Sequence, residues 1–235
     1  MMERLDKFLA AQGKGTRKEV GRLIRSGAVA VDGVPVRDPA AKVDPSRQTV
    51  AVGGNPILWQ EHLYIMMNKP AGVLSATEDR RQKTVLDLLP EDLRRRGLFP
   101  AGRLDKDTTG LLLITDDGDL AHRMLSPKKH VYKLYQARLD APVTLEDVRA
   151  FEEGVRWGEE VYAPARLWAG EEDPFVAFAQ VHEGRFHQVK RMFQARGKTV
   201  LSLKRLKIGG LSLDSTLQEG ECRLLAPEEV CQILR

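Results

Sequence analysis

Cysteine is nearly absent: the 235 residues hold two, Cys222 and Cys231. They cannot build a disulfide framework, and no Cys-x-x-Cys pair offers a metal or redox site. They read as structural thiols of a reducing compartment. The five histidines fall into no ligand spacing, so no metal is expected. No apolar run reaches membrane-spanning length. The N-terminus opens Met-Met-Glu-Arg-Leu-Asp-Lys, with charge where a secretory signal carries an apolar stretch, and the expectation is a cytoplasmic protein. Internal repeats, low-complexity tracts, a nucleophilic Ser or Cys elbow and a phosphate-cradling glycine loop are also missing.

What is present is an ordinary globular composition with an uneven charge. The apolar fraction is 42% and the charged fraction 30%. The net charge of +4 sits entirely in residues 1–60, which hold ten Lys/Arg against six Asp/Glu; the rest of the chain carries 27 of each. A basic module on a balanced body is the electrostatic footprint of a polyanion binder.

Residues 3–12 place Leu5, Phe8 and Leu9 at helical spacing. Gly13 and Gly15 end that helix, and Thr16 with Glu19 forms a capping box for the next, whose buried stripe is Val20, Leu23 and Ile24. Val29 to Val36 reads as a hairpin around Asp32-Gly33. Residues 38–62 read as linker around one short strand, Thr49 to Val52, which puts a domain boundary near residue 60. The two parts are then 1–60 and 61–235.

In the second part, strands are expected at 63–67, 111–114, 131–139, around 160–168 and 175–182, and at 199–208 and 221–225. Helices are expected at 84–96, 119–125, from Thr144 with Leu145, Val148 and Phe151 inward, from Gly184, and from 227. Strands mostly follow one another without crossover helices. That predicts an α+β fold: a small helix-turn-helix plus hairpin domain, then a domain built on a mostly antiparallel mixed sheet flanked by helices.

The stretch from Ala101 to Ile114 runs from a polar hinge into a buried strand and packs Arg103, Asp105, Lys106, Asp107, Thr108 and Thr109 together. By spacing alone a well-capped turn is favoured over a catalytic loop. Two other groups could carry chemistry: Lys133 and Tyr135 on one strand, and Arg185, His187 and Lys190 at a helix start. Each alone reads as surface or packing: Lys133-x-Tyr135 as a half-exposed pair, the cations as a solvated face.

Two resemblances change that weighting. Arg4-Leu5-Asp6-Lys7-Phe8-Leu9, Thr16-Arg17, Leu23 to Gly27 and Val29-x-Val31-Asp32-Gly33 resemble the RNA-binding module of small-subunit ribosomal protein S-four. In that likeness Arg4, Lys7, Arg17, Lys18, Arg22 and Arg25 form the RNA-facing surface, giving salt-dependent affinity with little base specificity. Essentially end to end, the chain resembles pseudouridine synthases of the RsuA type. The residues that carry this are Met67-Asn68-Lys69-Pro70-x-Gly72, Gly102 to Leu111, Lys133-x-Tyr135, Glu183 to Met192 and Arg205-x-x-Ile208-Gly209-Gly210.

That resemblance implies isomerisation of a uridine to pseudouridine without a cofactor. It implies Asp105 as the catalytic carboxylate, Lys190 as its basic partner and Tyr135 stacked on the base. Arg103 would fill the gap left by the flipped nucleotide, with Arg185 and His187 also on the RNA. Asp107, Thr108 and Thr109 read as loop scaffold. His187-Gln188-Val189-Lys190-Arg191-Met192 resembles the branch that acts on 16S rRNA, free or in an assembling small subunit. The runners-up are 23S rRNA as substrate and a non-catalytic ribosome-assembly protein. A monomer with no membrane partner is expected.

Overall fold

The computed structural model describes residues 2–57, 59, 61–94 and 97–235. The chain forms two compact units, Met1–His62 with Leu89–Leu98, and Leu63–Leu88 with Phe99–Arg235.

In the first unit the helices Leu5–Ala11 and Arg17–Arg25 bury Leu5, Phe8, Leu9, Val20 and Ile24 against Val29, Val31, Val43 and Val50. The capping box forms: the Thr16 N–H donates to Glu19 Oε2 at 2.7 Å, and the Glu19 N–H to Thr16 Oγ1 at 3.3 Å. Thr16→Ala removes one half of it and is expected to cost about 1 kcal/mol, read as a lower urea midpoint. Asp32 and Gly33 take positive φ (50° and 80°), as a two-residue hairpin turn requires.

The linker expectation for 38–62 is overturned in part. Lys42–Val43 pairs with Glu3–Arg4, so the first helix starts later than its apolar spacing suggested. Asn55–Ile57 returns along Val50–Val52 as the outermost strand of a four-stranded sheet. Pro56 is tolerated there because an edge strand can spare an N–H.

The second unit is α+β. Its nine-stranded sheet runs Arg166–Ala169, Val176–Val181, Lys133–Leu139, Val200–Ile208, Thr109–Thr115, Tyr64–Lys69, Cys222–Leu224, with Leu211–Ser212 and Phe99–Ala101 added at the sides. Every pairing is antiparallel except that between Val200–Ile208 and Thr109–Thr115, which covers only Lys204↔Thr109 and Arg205↔Gly110. This narrow seam joins two separately packed halves. On one side Phe151 of Leu145–Glu153 and Met192 and Phe193 of Gln188–Ala195 pack onto Ala137, Ala177, Ala179 and Leu203. On the other, Leu120, Ala121 and Met124 of Gly118–Leu125 pack onto Met66, Leu111 and Leu113.

Several expectations for residues 63–235 need correction. No α-helix forms over 84–94; the described residues make two short 3-10 turns, Val85–Leu88 and Glu91–Leu93. Pro90 separates them, because the residue before a proline is driven out of the helical region. Arg95 and Arg96 lie outside the described residues. Leu145 is 77% exposed rather than inward. It follows the N-cap Thr144 directly, and the helix turns Asp147 inward instead, where the carboxylate closes the capping box and meets Lys198 at 2.7 Å. The strand expected from Val131 starts at Lys133, and Lys133 is buried rather than half-exposed. The C-terminal helix is a single turn, Pro227–Val230.

Candidate active site

The loop before Thr109–Thr115 is fixed from several directions. Gly102 has φ 87°, and a Cβ there would press on Leu125. Leu104 is buried, and its N–H and C=O both bond Ser75 Oγ, at 3.1 and 2.9 Å. The Thr108 N–H donates to the Asp105 C=O at 3.1 Å, closing a turn, and the Gly72 N–H donates to the Lys106 C=O at 2.8 Å.

Beneath the loop lies Lys69, the last residue of Tyr64–Lys69, with no exposed surface. Its ammonium donates to three carbonyls: Pro70 at 2.9 Å, Thr108 at 2.9 Å and Lys106 at 3.2 Å. Burial pushes this ammonium down to about 8, against the pull of Asp107 and Asp105. The sequence reading passed over this role. The signal is in the sequence: a lysine closing a strand built on Ile65, Met66 and Met67 takes its charge into the interior and must find acceptors there.

The loop delivers Asp105 to the start of the helix Gln188–Ala195. Lys190 Nζ lies 3.2 Å from Asp105 Oδ2, and His187 Nε2 lies 3.5 Å from Asp105 Oδ1. His187 adopts φ 53°, φ being rarely positive outside glycine, and stacks on Phe186 with ring centroids 3.8 Å apart. Lys190 is shared. It lies closer to Asp107, at 2.6 Å, than to Asp105. Burial pulls the Lys190 ammonium down, but its bonds to Asp107 and Asp105 outweigh this and leave it raised. The hydrogen bond from Lys190 holds Asp107 below the usual carboxylate range. Asp107 is therefore the second carboxylate of the Lys190 pair as well as a turn former.

Tyr135 lies on Lys133–Leu139, which Val200–Ile208 separates from Thr109–Thr115, and its hydroxyl accepts from Arg205 Nη1 at 3.4 Å. Arg205 in turn donates through Nε to the Leu111 C=O at 2.7 Å. Gly110 permits this close approach: its φ is 97°, and a Cβ there would collide with the Arg205 backbone. Lys133 is buried beside them, donating to the His182 and Met124 carbonyls at 3.2 and 3.4 Å; burial, with Arg205 nearby, pushes it down to about 8.

The other singled-out residues lie elsewhere. Arg103 is exposed on the loop. Arg185 is turned to Glu160 (3.3 Å), the Val161 C=O (2.9 Å) and the face of Tyr162 rather than to Asp105. In the first unit Arg17, Lys18, Arg22 and Arg25 are exposed, while Arg4 is ion-paired with Asp6 at 2.7 Å and Lys7 lies 3.9 Å from Glu3.

A carboxylate held by a lysine and a histidine, in a sheet that also carries a phenol on Lys133–Leu139, suits chemistry at one sugar–base unit. Residues 63–195 match the family model described as RNA pseudouridylate synthase, which is more than half of the chain. The chain belongs to that family. It is an RNA pseudouridine synthase, an isomerase of the RsuA type, and residues 3–48 match the S4 domain. It is 50% identical to the uncharacterized RNA pseudouridine synthase YtzG of Bacillus subtilis, over 97% of this chain and 96% of that one. It is 43% identical to ribosomal small subunit pseudouridine synthase A of Escherichia coli, over 98% of this chain and 100% of that one. A solved structure described as a pseudouridylate synthase aligns with TM-score 0.66 at 37% identity, over 98% of this chain and 99% of that chain. Among the described residues of the synthase, no helix is long and apolar enough to cross a membrane.

Proposed function

We propose that this synthase isomerises one uridine of small-subunit 16S rRNA to pseudouridine, with Asp105 as the catalytic carboxylate. The 43% identity over the whole of a protein named for the small ribosomal subunit carries the choice of RNA. In the reaction the C1′–N1 bond breaks, the uracil turns, C1′ bonds to C5, the C5 proton leaves and N1 gains one. Product and substrate are isomers, so no cofactor or energy source is required.

Asp105 acts at the sugar and base. Lys190 holds its carboxylate in place by an ion pair, and Asp107 shares that lysine. Tyr135 stacks on the uracil, and Arg103 occupies the space the flipped nucleotide leaves. Residues 1–60 serve as the RNA-binding domain and 61–235 as the catalytic domain, working as a cytoplasmic monomer on rRNA or an assembling small subunit.

Mapping rRNA pseudouridines in cells with and without the gene, and on 16S transcripts treated with the pure protein, tests this reading. One 16S site is expected to disappear from the cells and reappear in the tube. Loss of a 23S site instead reassigns the substrate. No new pseudouridine on any rRNA or precursor particle favours an assembly factor.

The four exposed cations of the second helix supply a further expected result. Changing Arg17, Lys18, Arg22 and Arg25 together to Gln should weaken RNA binding and lower the slope of log K against log salt by as much as about 3. A filter-binding titration from low to physiological salt reads this, and an unchanged slope removes that face from the RNA.

A further inference from the structure

Arg205 is a buried cation to which the proposed chemistry gives no task. It is 4% exposed and forms no ion pair among the described residues. A guanidinium taken out of water without a carboxylate is costly, yet three backbone features converge to put it there. The strands Lys133–Leu139 and Val200–Ile208 pair Leu134 with Lys207 but Tyr135 with Arg205, so Leu206 is an extra residue. Such a bulge re-aims the side chains beside it. Gly110 lets the neighbouring strand come against the Arg205 backbone, and the parallel seam fixes Arg205 opposite Gly110.

The guanidinium is only partly satisfied. Nε is committed to the Leu111 C=O at 2.7 Å. Nη1 reaches Tyr135 Oη at a long 3.4 Å, with the guanidinium carbon 6.0 Å from the centre of the phenol ring. Nη2 is buried and has no hydrogen-bond partner. The loose contact is the one to the phenol, and another donor of the same guanidinium is idle.

We propose that Arg205 is a positioning residue for the isomerisation, orienting the Tyr135 phenol toward the base through its hydroxyl oxygen. The inference rests on the reading of Tyr135 as the side chain that stacks on the uracil. A guanidinium carries donors only. The Tyr135 oxygen must therefore accept, and its own O–H is directed away from Arg205. The ring is then held at its far end as well as at its backbone. A hydrogen bond that is long in the free enzyme tightens when substrate is bound. A strut that merely ties two strands through the Leu111 C=O would act equally with or without the phenol hydroxyl.

A double-mutant cycle separates the two. The full-length wild type, Arg205→Gln, Tyr135→Phe and the double variant are compared on 16S transcript tritiated at uridine C5, reading kcat and KM from tritium release. Arg205→Gln is expected to lower kcat by about 30-fold with KM for RNA nearly unchanged, and by less than about threefold when Tyr135 is already Phe. Arg205→Lys, which keeps a donor and a charge, should recover part of the loss. Equal losses in both backgrounds, or a loss confined to KM, overturn the proposal. If Arg205→Gln melts early, Arg205→Lys is run through the same two backgrounds and judged by the same ratio. A wild type that forms no pseudouridine, or an Asp105→Asn variant that does, would instead overturn the reading of the site itself.

Discussion

Asp105→Asn is expected to abolish isomerisation, lowering turnover by about 10⁴-fold or more, which corresponds to about 5 kcal/mol of transition-state stabilisation. The amide keeps the size and the hydrogen-bonding ability of the side chain but loses the charge that Lys190 holds. Stability should hardly change. Asp105 is partly exposed, and the Lys190 ammonium keeps its closer partner Asp107 at 2.6 Å. Tritium release on 16S transcript gives the rate, and urea unfolding gives the stability. Activity within tenfold of wild type would remove Asp105 from the chemistry.

Lys69→Met should damage both quantities. The Pro70, Lys106 and Thr108 carbonyls lose their shared donor, and the last two belong to the loop that carries Asp105. The Lys106 carbonyl keeps the Gly72 N–H, but the Pro70 and Thr108 carbonyls lose the ammonium, which costs more than the relief of an interior charge returns and gives a net loss of about 2 kcal/mol. Turnover should fall by about 100-fold, because a loop set loose by even 1 Å misplaces its carboxylate. A variant as active as wild type would show that the loop is held by Ser75 and Gly72 alone.

The same lysine sets a pH dependence. Its folded value of about 8 lies below the ordinary 10.5. Between those values the unfolded chain holds a proton that the folded chain has released, so this group's contribution to stability rises with pH across the window. The neutral amine has two N–H donors for three carbonyls, and the loop loses one tie. Turnover is therefore expected to fall as pH passes about 8 while the lysine's stability contribution moves the other way. Lys133 titrates in the same range. Rates flat from pH 7 to 9, with unfolding measured in parallel, would contradict this.

Much of this was legible in the residues. Capping side chains announce helices locally, so Thr16 with Glu19 marks a true start. The bond between Asp105 and Lys190 was reached through family resemblance, since no local pattern links residues so far apart. What failed was what depends on neighbours. The apolar spacing of Val85, Leu88 and Leu89 suggested a helix that Pro90 does not allow. Leu145 matched a helical stripe but lies at its exposed beginning. Asn55–Ile57 contains a proline and looks like linker until its partner strand is known. Lys69 and Arg205 resemble surface cations in sequence, and only the sheet that encloses them shows their tasks.

The narrow seam at Thr109 and Gly110 also sets the order in which the enzyme comes into being. Leu111 and Arg205, tied across it, stand 94 residues apart in the chain. Contacts that close so large a loop form late, after local hairpins and helices. During synthesis the Asp105 loop leaves the ribosome long before Lys190, and Arg205 follows later still. A nascent chain ending before residue 190 holds its carboxylate without its cation, and one ending before residue 205 has Tyr135 untethered. On the roles proposed for Asp105, Lys190 and Arg205, the synthase lacks part of its site for most of its own translation.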